Sequence, residues 1–172
     1  MGIMICMGGL PGSGKTKMAK EFCNQHRDFL YFNPDEYYAR INGDECIRDN
    51  AFEVWHSLFR DVYTAQRNGR NVMIDTDNLT YAQRNQWVEW FPHFSKHILC
   101  FIEEEIDVCI ERVSQRRRTI PVKVMEHKAL KMEYPWPFGE TYTKDRQEWD
   151  EIYRICNISD GSTMVIKYLK EK

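Results

Sequence analysis

The chain's most constraining feature is residues 9–16, which read Gly-Leu-Pro-Gly-Ser-Gly-Lys-Thr and match the pattern G-x-x-x-x-G-K-[ST]. A short apolar run at 3–7 precedes them, and apolar residues at helical spacing follow at 17–26. This order predicts a buried strand, a glycine-rich turn and a helix, which is the context in which the pattern binds phosphate. Glycines let backbone N–H groups curl around phosphate oxygens, and the positive end of the helix dipole faces the same anion.

We therefore expect this loop to bind ATP together with Mg²⁺. Lys15 is expected to reach the β- and γ-phosphates, and the Thr16 hydroxyl is expected to ligate the metal ion. The residues expected to hold the nucleotide are Gly9, Pro11, Gly12, Ser13, Gly14, Lys15 and Thr16.

Strand-like and helix-like runs alternate along the chain, and this alternation predicts an α/β fold. We expect a P-loop NTPase three-layer fold, in which helices flank a parallel sheet of about five strands. After the first strand, strands are predicted at 29–33, 71–74, 98–102 and 152–158. Helices are predicted from Pro34 and at 45–68, 81–91, 106–114 and 121–132. Residues 134–139 are predicted to form a loop, and the tail from Gly161 fits either a strand or a helix.

Size and composition bound the kind of protein. At 172 residues, we expect a single domain spanning 1–172, which is long enough for a stable core without disulfides. The net charge of −2 gives no global basic field, so a nucleic-acid partner would need a local basic patch. The six scattered cysteines, the lack of a signal-peptide pattern and the lack of a long apolar run favour a cytoplasmic protein without membrane segments.

Two aspartates follow predicted strands, at the same sheet edge as the glycine-rich loop. Asp35 follows the second strand, where a carboxylate can accept the proton of an attacking hydroxyl. The alternative is a helix N-cap or a first-turn charge. Asp75 ends the third strand, which favours a role at Mg²⁺, directly or through water, over turn chemistry alone.

Basic residues concentrate at 112–123, after the fourth predicted strand. Arg112 and Arg116 are four residues apart and share a helical face if the helix at 106–114 continues. Arginine forks stabilise the charge that phosphoryl transfer spreads over oxygens, so we expect a small arginine-bearing helical lid at about 114–132. Arg116 is the first candidate for phosphate contact and Arg112 the second; the alternative is a solvated basic face.

Aromatic residues are expected to serve mainly in packing. Trp55, Trp87 and Trp90 lie on predicted helices and are expected in the core. Tyr37 and Tyr38 follow Asp35 closely, where a ring can stack on a base, but packing is the favoured role for each.

These pieces occur in a fixed order: the loop at 9–16, the strand followed by Asp35, the turn at 75–79 and the basic stretch at 112–121. Together they resemble the P-loop kinases of the polynucleotide 5′-hydroxyl kinase group, especially the kinase domain of the phage end-healing enzyme. The resemblance covers roughly residues 1–135. It implies a compact adenylate-kinase-type sheet with an arginine lid.

The resemblance also implies roles for single residues. Lys15 and Thr16 would bind ATP·Mg²⁺, Asp35 would be the general base for the acceptor hydroxyl, and Arg116 would clamp the phosphates in the transition state. The turn that begins at Asp75 looks like the D-x-T-N turn of that family, which lies beside the site.

The acceptor side departs from the family's pattern. Tyr38 stands where the phage enzyme carries an arginine that reads the acceptor phosphate, and Arg40 lies nearby in the sequence. Asp77 replaces the family's threonine and is followed by Asn78. We take these four residues as candidates for acceptor contact. The group's relatives include phage kinases that phosphorylate a hydroxymethylated base within DNA, such as 5-hydroxymethyluracil.

The sequence thus supports three functions. The first is an ATP-dependent kinase that phosphorylates a hydroxyl of DNA or RNA, at a 5′ end or on a modified base. The second is a small-molecule kinase for a nucleoside, nucleotide or sugar, because the same fold hosts both. The third is a nucleotide-gated regulatory NTPase, which would need no acceptor-side base.

Overall fold

A computed structural model describes residues 1–136, 144–157 and 162–170 of the chain. Its sheet contains β1 (Ile3–Gly8), β2 (Phe29–Phe32), β3 (Asn71–Asp75), β4 (Lys96–Glu103), β5 (Glu151–Asn157) and β6 (Thr163–Leu169). The strands lie in the order β2-β3-β1-β4-β5-β6. Strands β1 to β5 are parallel, and β6 pairs antiparallel with β5. The α/β prediction is confirmed, but the sheet has six strands rather than about five, because the tail adds an antiparallel edge.

Helices connect these strands. They are α1 (Lys15–Gln25), α2 (Pro34–Asn42), α3 (Ala51–Arg67), α4 (Tyr81–Trp90), α5 (Ile106–Ser114), α6 (Val122–Leu130) and the short α7 (Asp145–Glu148). The predicted helices are confirmed as elements, with ends that differ by a few residues. Helix α7 was not predicted, since a single turn carries no periodic signal.

Helix α3 begins later than the predicted start at residue 45, because local polar contacts hold the preceding chain in another shape. Nδ2 of Asn42 donates to the carbonyl oxygens of Ile47 (2.8 Å) and Asp49 (2.9 Å). Asn50 then takes a left-handed conformation with φ of 56°. Side-chain bonds of this kind compete with the helix ladder. The residues between α2 and α3 therefore form a loop, and this loop contains Arg48.

Strand β1 is buried on both faces, which explains its continuous apolar sequence. Met4 and Cys6 belong to the core formed with α3 and α4. Ile5 and Met7 point to the opposite core, where α1 packs. This alternation follows from the two-residue period of a strand. The central strand is therefore fixed between two helical layers, and its carboxyl end presents the glycine-rich loop.

The carboxyl-terminal part of the chain completes the sheet. Residues 134–136 form neither helix nor strand, as predicted, whereas 137–139 of that predicted loop lie outside the described residues. Residue 158, the end of the predicted fifth strand, also lies outside them. The described helices include none long and apolar enough to cross a membrane. A single domain over 1–172 stays a prediction.

A buried ion pair connects α4, which lies between β3 and β4, with α7 in the carboxyl-terminal part of the chain. Arg84 of α4 donates to Asp145 of α7 through Nε (2.6 Å) and Nη2 (2.8 Å). Its Nη1 also donates to the carbonyl oxygens of Asn78 (3.1 Å) and Leu79 (2.9 Å). Arg84 thereby holds the turn that follows β3, although it lies outside the site itself.

We predict that Asp145→Ala lowers the free energy of unfolding by about 3–5 kcal/mol, because it leaves the buried Arg84 guanidinium unpaired. Urea unfolding followed by circular dichroism measures this change. Arg60→Ala is the control, since it removes only an exposed contact with Asp61 and should change the free energy by under about 1 kcal/mol. Equal effects of the two substitutions would contradict this role of the pair.

Candidate active site

The carboxyl ends of β1, β2 and β3 lie side by side, and each is followed by polar residues. Parallel α/β sheets bind ligands at this edge, next to the point where strand order reverses. Here, β1 leads into the loop of residues 9–14, β2 into Asn33 and Asp35, and β3 into the turn at 75–78. The sequence-based expectation that these segments meet at one edge is confirmed.

The glycine-rich loop adopts a conformation that side chains would block. Gly9 has φ of 131° and Gly12 has φ of 90°. A Cβ at Gly9 would lie 2.5 Å from the carbonyl oxygen of Ile102, and one at Gly12 would lie 2.5 Å from that of Cys109. The loop is therefore pressed against β4 and α5, which fixes it at the start of α1.

The loop offers groups that fit a phosphate. The Ser13 hydroxyl is buried and has no hydrogen-bond partner among the described residues. Lys15 at the first turn of α1 donates through Nζ to the carbonyl oxygens of Gly9 (2.7 Å) and Leu10 (2.8 Å). A buried donor without a partner is costly unless a ligand satisfies it, and the N-terminus of α1 favours an anion at the same place. These residues fit the triphosphate of ATP.

Asp75 gathers three donors on one oxygen. Its Oδ2 accepts hydrogen bonds from the Thr16 hydroxyl, the Tyr31 hydroxyl and Nδ2 of Asn33, each at 2.7 Å. Burial and then the nearby Asp75 carboxylate raise the pKa of Tyr31, which keeps the phenol protonated as a donor. Because the Thr16 hydroxyl donates its hydrogen bond to Asp75, its lone pairs point elsewhere and fit a cation bound with the phosphates.

The sequence analysis did not identify Tyr31 and Asn33 as residues of the site. Tyr31 occupies an apolar strand and reads as a packing residue. Asn33 carries an N-cap signal just before Pro34, and its Oδ1 indeed accepts from the backbone N–H of Asp35 at 2.7 Å. Asn33 rather than Asp35 is therefore the N-cap, and Asp35 occupies the first turn of α2, which is the other structural role expected for it.

Asp77 lies between two lysines. Its Oδ1 is 3.3 Å from Nζ of Lys15, and its Oδ2 accepts from Nζ of Lys128 of α6 at 2.7 Å. Burial alone would raise the pKa of Asp77, but the two ammonium groups outweigh it and lower that pKa. Its backbone carbonyl also accepts from the N–H of Gly9 at 2.8 Å. Asp77 therefore connects the glycine-rich loop with the segment expected to be a lid.

Asn78, by contrast, is engaged in holding the turn. It is buried with φ of 48°. Its Nδ2 donates to the carbonyl of Met7 at 2.6 Å, and its Oδ1 accepts from Nε1 of Trp87 at 3.0 Å. Both ends of its amide are thus bonded to the protein, which gives Asn78 a positioning role; it also lines the cleft, and its contact with the acceptor stays a prediction.

Asp35 stands in the first turn of α2 and faces the glycine-rich loop across a cleft. Its Oδ1 lies 2.8 Å from Nη2 of Arg48 and accepts from Nη1 of Arg118 at 3.2 Å. Arg48 was missed from the sequence because it falls where a helix was predicted. Its guanidinium also stacks 4.0 Å from the ring centre of Tyr38.

The basic stretch separates into residues that reach the cleft and residues that do not. Arg116 and Arg118 line it, whereas Arg117 pairs with Asp44 on the exposed surface. Helix α5 ends at Ser114, so Arg112 and Arg116 do not share a helical face. Arg112 lies in the last turn of α5, whereas Arg116, Arg117 and Arg118 lie on the loop between α5 and α6 rather than on a lid helix.

Two other predicted contacts are not brought into the cleft. Arg112 donates to Oε2 of Glu104 (2.9 Å) and to the carbonyl oxygen of Gly12 (3.2 Å), behind the loop. Arg40 stacks 4.2 Å from the ring centre of Tyr37 and lies 3.6 Å from Asp61. We therefore correct Arg40 as an acceptor contact, because α2 directs it away from the cleft.

The cleft has a volume of about 730 Å³ and combines charge with aromatic surface. Although the chain's net charge is −2, five cations and three carboxylates line it. The charged residues are Lys15, Arg48, Arg116, Arg118, Lys128, Asp35, Asp75 and Asp77. The aromatic residues are Tyr38, Trp55, Phe59, Trp87 and Trp90. The expectation that the three tryptophans are core residues is correct for the buried Trp87 but not for Trp90, which is 50% exposed.

The fold and the phosphate-binding loop define the class as an ATP-dependent P-loop kinase. The chain belongs to the AAA domain family AAA_33, whose model matches residues 4–135.

Similarity to solved structures supports this fold. A chain of the Pnkp1/Rnl/Hen1 RNA repair complex is 18% identical, with 76% of this chain and 43% of that chain covered and a TM-score of 0.68. A gluconokinase from Sinorhizobium meliloti 1021 is 16% identical over 88% and 81% of the two chains, with a TM-score of 0.55. A chain of the PezAT toxin–antitoxin system of Streptococcus pneumoniae is 13% identical over 97% and 72%, with a TM-score of 0.59. The chain thus spans less than half of the first of these proteins.

We predict that Thr16→Val removes most of the Mg²⁺-dependent part of ATP binding. Because Mg²⁺ loses one oxygen ligand, the gain in ATP affinity that Mg²⁺ provides should fall by about 10- to 100-fold. ATP affinity is measured by calorimetry in Mg²⁺ and in EDTA. Thr64→Val is the matched control, because its hydroxyl bonds only a carbonyl of α3. An unchanged ratio of the two affinities in Thr16→Val would contradict the role of this hydroxyl.

Proposed function

We propose that this kinase transfers the γ-phosphate of ATP to a hydroxyl of a nucleic acid, foremost a 5′-hydroxyl end and, as a second form, a hydroxymethylated base. The observation that carries the proposal is the position of Asp35. It faces the same cleft as Lys15 and Thr16, so a hydroxyl held between them has a base on one side and the phosphates on the other.

The charge of the cleft supports a polyanionic acceptor. Excess cations line it within a chain of negative net charge, so positive potential is concentrated there. Arg48 lies beside Asp35 and supplies, from the loop between α2 and α3, the cation that Tyr38 of α2 does not. A nucleic acid carries phosphates next to its hydroxyl ends, which such arginines bind well.

In the proposed reaction, the acceptor oxygen attacks the γ-phosphorus in line and its proton passes to the Asp35 carboxylate. The bond between the γ-phosphorus and the β–γ bridging oxygen breaks, and ADP leaves. Lys15 and Arg116 stabilise the charge on the transferring group. Thr16 and Asp75 would hold Mg²⁺, which would offset the charge of the phosphates. Closure of the 114–132 segment over the nucleotide remains part of the proposal.

A small-molecule kinase is the second candidate. The cavity volume of about 730 Å³ lies in the range of sites for small ligands. A neutral acceptor of that size would use the aromatic surface without needing the excess of cations.

We predict that Asp35→Asn lowers the turnover number with a 5′-hydroxyl oligonucleotide by about 10²- to 10⁴-fold, because the amide cannot take the proton. ATP affinity should stay near the wild-type value. Steady-state transfer of labelled phosphate and calorimetry measure the two quantities. Asp49→Asn, on the loop before α3, is the control. Full activity of Asp35→Asn would rule Asp35 out as the base.

We also predict that oligonucleotide affinity falls steeply with salt. For three phosphate contacts to a single strand, the logarithm of the binding constant should fall with that of salt concentration at a slope of about −2. Arg48→Gln should make that slope shallower by about 0.7, whereas Arg60→Gln, on an exposed face of α3, should leave it unchanged. Affinity independent of salt would instead favour a small neutral acceptor.

A further inference from the structure

Four aromatic side chains form a continuous wall on one side of the cleft. This aromatic wall consists of Trp55 and Phe59 of α3 and of Trp87 and Trp90 of α4. Phe59 is its centre: its ring centroid lies 5.6 Å from that of Trp55, 5.4 Å from Trp87 and 5.0 Å from Trp90. The Phe59 and Trp90 rings are nearly perpendicular, at 87°.

The wall is anchored to the catalytic edge of the sheet. Nε1 of Trp87 donates to Asn78 in the turn after β3, and its ring stacks on Phe91 at 5.9 Å and 22°. Asn78 in turn holds the carbonyl of Met7 at the end of β1. The position of the wall relative to the phosphate-binding loop is therefore set by the same turn that carries Asp75 and Asp77.

Part of the wall is exposed to the cleft, although Trp55 and Phe59 also pack against the core. The buried stripe of α3 consists of Val54, Leu58, Val62 and Ala65, and Trp55 and Phe59 lie beside this stripe, only half-buried. Trp90 is 50% exposed, three residues after the buried Trp87. A large exposed aromatic surface within a cavity indicates a ligand with an apolar face.

Polar groups surround this surface in an arrangement that suits a base. Gln86 is exposed and lines the cleft one helical turn before Trp90, so its amide can bond a ring edge while Trp90 meets a ring face. Arg48 and Arg118, paired with Asp35, line the same cleft and can hold a neighbouring phosphate. The cleft therefore offers contacts for a planar ring with polar edges, for a neighbouring phosphate and for a hydroxyl. A nucleotide carries all three groups.

We propose that the aromatic wall is a stacking site for the nucleobase of the acceptor nucleotide, with Trp90 as its main contact and Gln86 as a contact to the base edge. This inference rests on the proposed function in its 5′-end form and adds a requirement to it: the acceptor's terminal base must be present and unpaired to enter the cleft. Stacking on aromatic side chains tolerates every base, so the site binds without strong sequence preference.

The aromatic face of α3 continues beyond the cleft. Phe52 is 84% exposed, and its ring stacks on that of His56 at 5.9 Å and 16°. Phe52 precedes Trp55 and Phe59 by three and seven residues, so the three lie along one side of the helix. This side gives the second nucleotide of the strand a surface on which to continue the stack.

The test compares two acceptors that differ only in the terminal base: a 5′-hydroxyl oligonucleotide and the same oligonucleotide with a tetrahydrofuran abasic residue at its 5′ end. We expect KM for the abasic acceptor to be about 5- to 150-fold higher, the range for losing one stacked base, with kcat little changed. Trp90→Ala should raise KM for the normal acceptor by a similar factor. It should leave KM for the abasic acceptor unchanged, and Trp90→Phe should restore most of the difference.

Tyr63→Ala is the matched control, because Tyr63 is 48% exposed on α3 but does not line the cleft. It should leave both KM values unchanged. Equal KM values for the two acceptors in the wild-type protein would overturn the stacking site while leaving the proposed function intact. If the protein neither phosphorylates nor binds the oligonucleotides, the 5′-end function and this inference are both overturned. Circular dichroism of Trp90→Ala and Trp90→Phe checks that each variant is folded.

Discussion

The site depends on one carboxylate oxygen, Oδ2 of Asp75, at the end of a buried parallel strand. It accepts from the first turn of α1, from β2 and from the residue before α2, and so holds three neighbouring segments of the sheet edge together. Each donor arrives at the same short distance, which strand spacing in the parallel sheet makes possible. Asp75 therefore fixes the position of the phosphate-binding loop relative to Asp35, through Thr16 on one side and Asn33 on the other.

In the proposed reaction, the charges on the two sides of the cleft serve different partners. On the nucleotide side, Lys15 is held by two loop carbonyls and by Asp77, which also pairs with Lys128 of α6. On the acceptor side, Arg48 and Arg118 converge on Asp35. Loop carbonyls and carboxylates thus hold each of these cations in place, and preorganisation of this kind lowers the entropy cost of binding an anion.

The nucleotide half of the site was predictable from the sequence, whereas the acceptor half was only partly so. The loop at 9–16 has a fixed spacing because backbone groups bind the phosphates, and Asp75 and Asp35 were found because they follow apolar strands. Arg48 could not be found in this way, because it lies on an irregular loop where a helix was predicted. The side chain of Asn42 and the left-handed conformation of Asn50 set the shape of this loop. The exposure of Trp90 could not be predicted either, because the sequence alone suggests that a tryptophan on a helix belongs to the core.

The fold shows the same division between regular and irregular parts. Apolar runs and turn residues predicted the parallel strands and their helices, because burial on both faces leaves a continuous signal. The antiparallel β6 could not be assigned, since an edge strand with alternating exposure fits several structures. Helix α5 ends at Ser114, before the arginines, so the spacing of Arg112 and Arg116 suggested a shared face that does not exist.

The most direct test of this account is transfer of labelled γ-phosphate from ATP·Mg²⁺ to a panel of acceptors. The panel contains 5′-hydroxyl DNA and RNA oligonucleotides, duplex DNA with 5-hydroxymethyluracil, free nucleosides and gluconate. We expect label on nucleic acid, foremost at 5′ ends. Label confined to nucleosides or gluconate would contradict the proposed acceptor, and ATP hydrolysis without transfer to any of them would contradict a kinase role for Asp35.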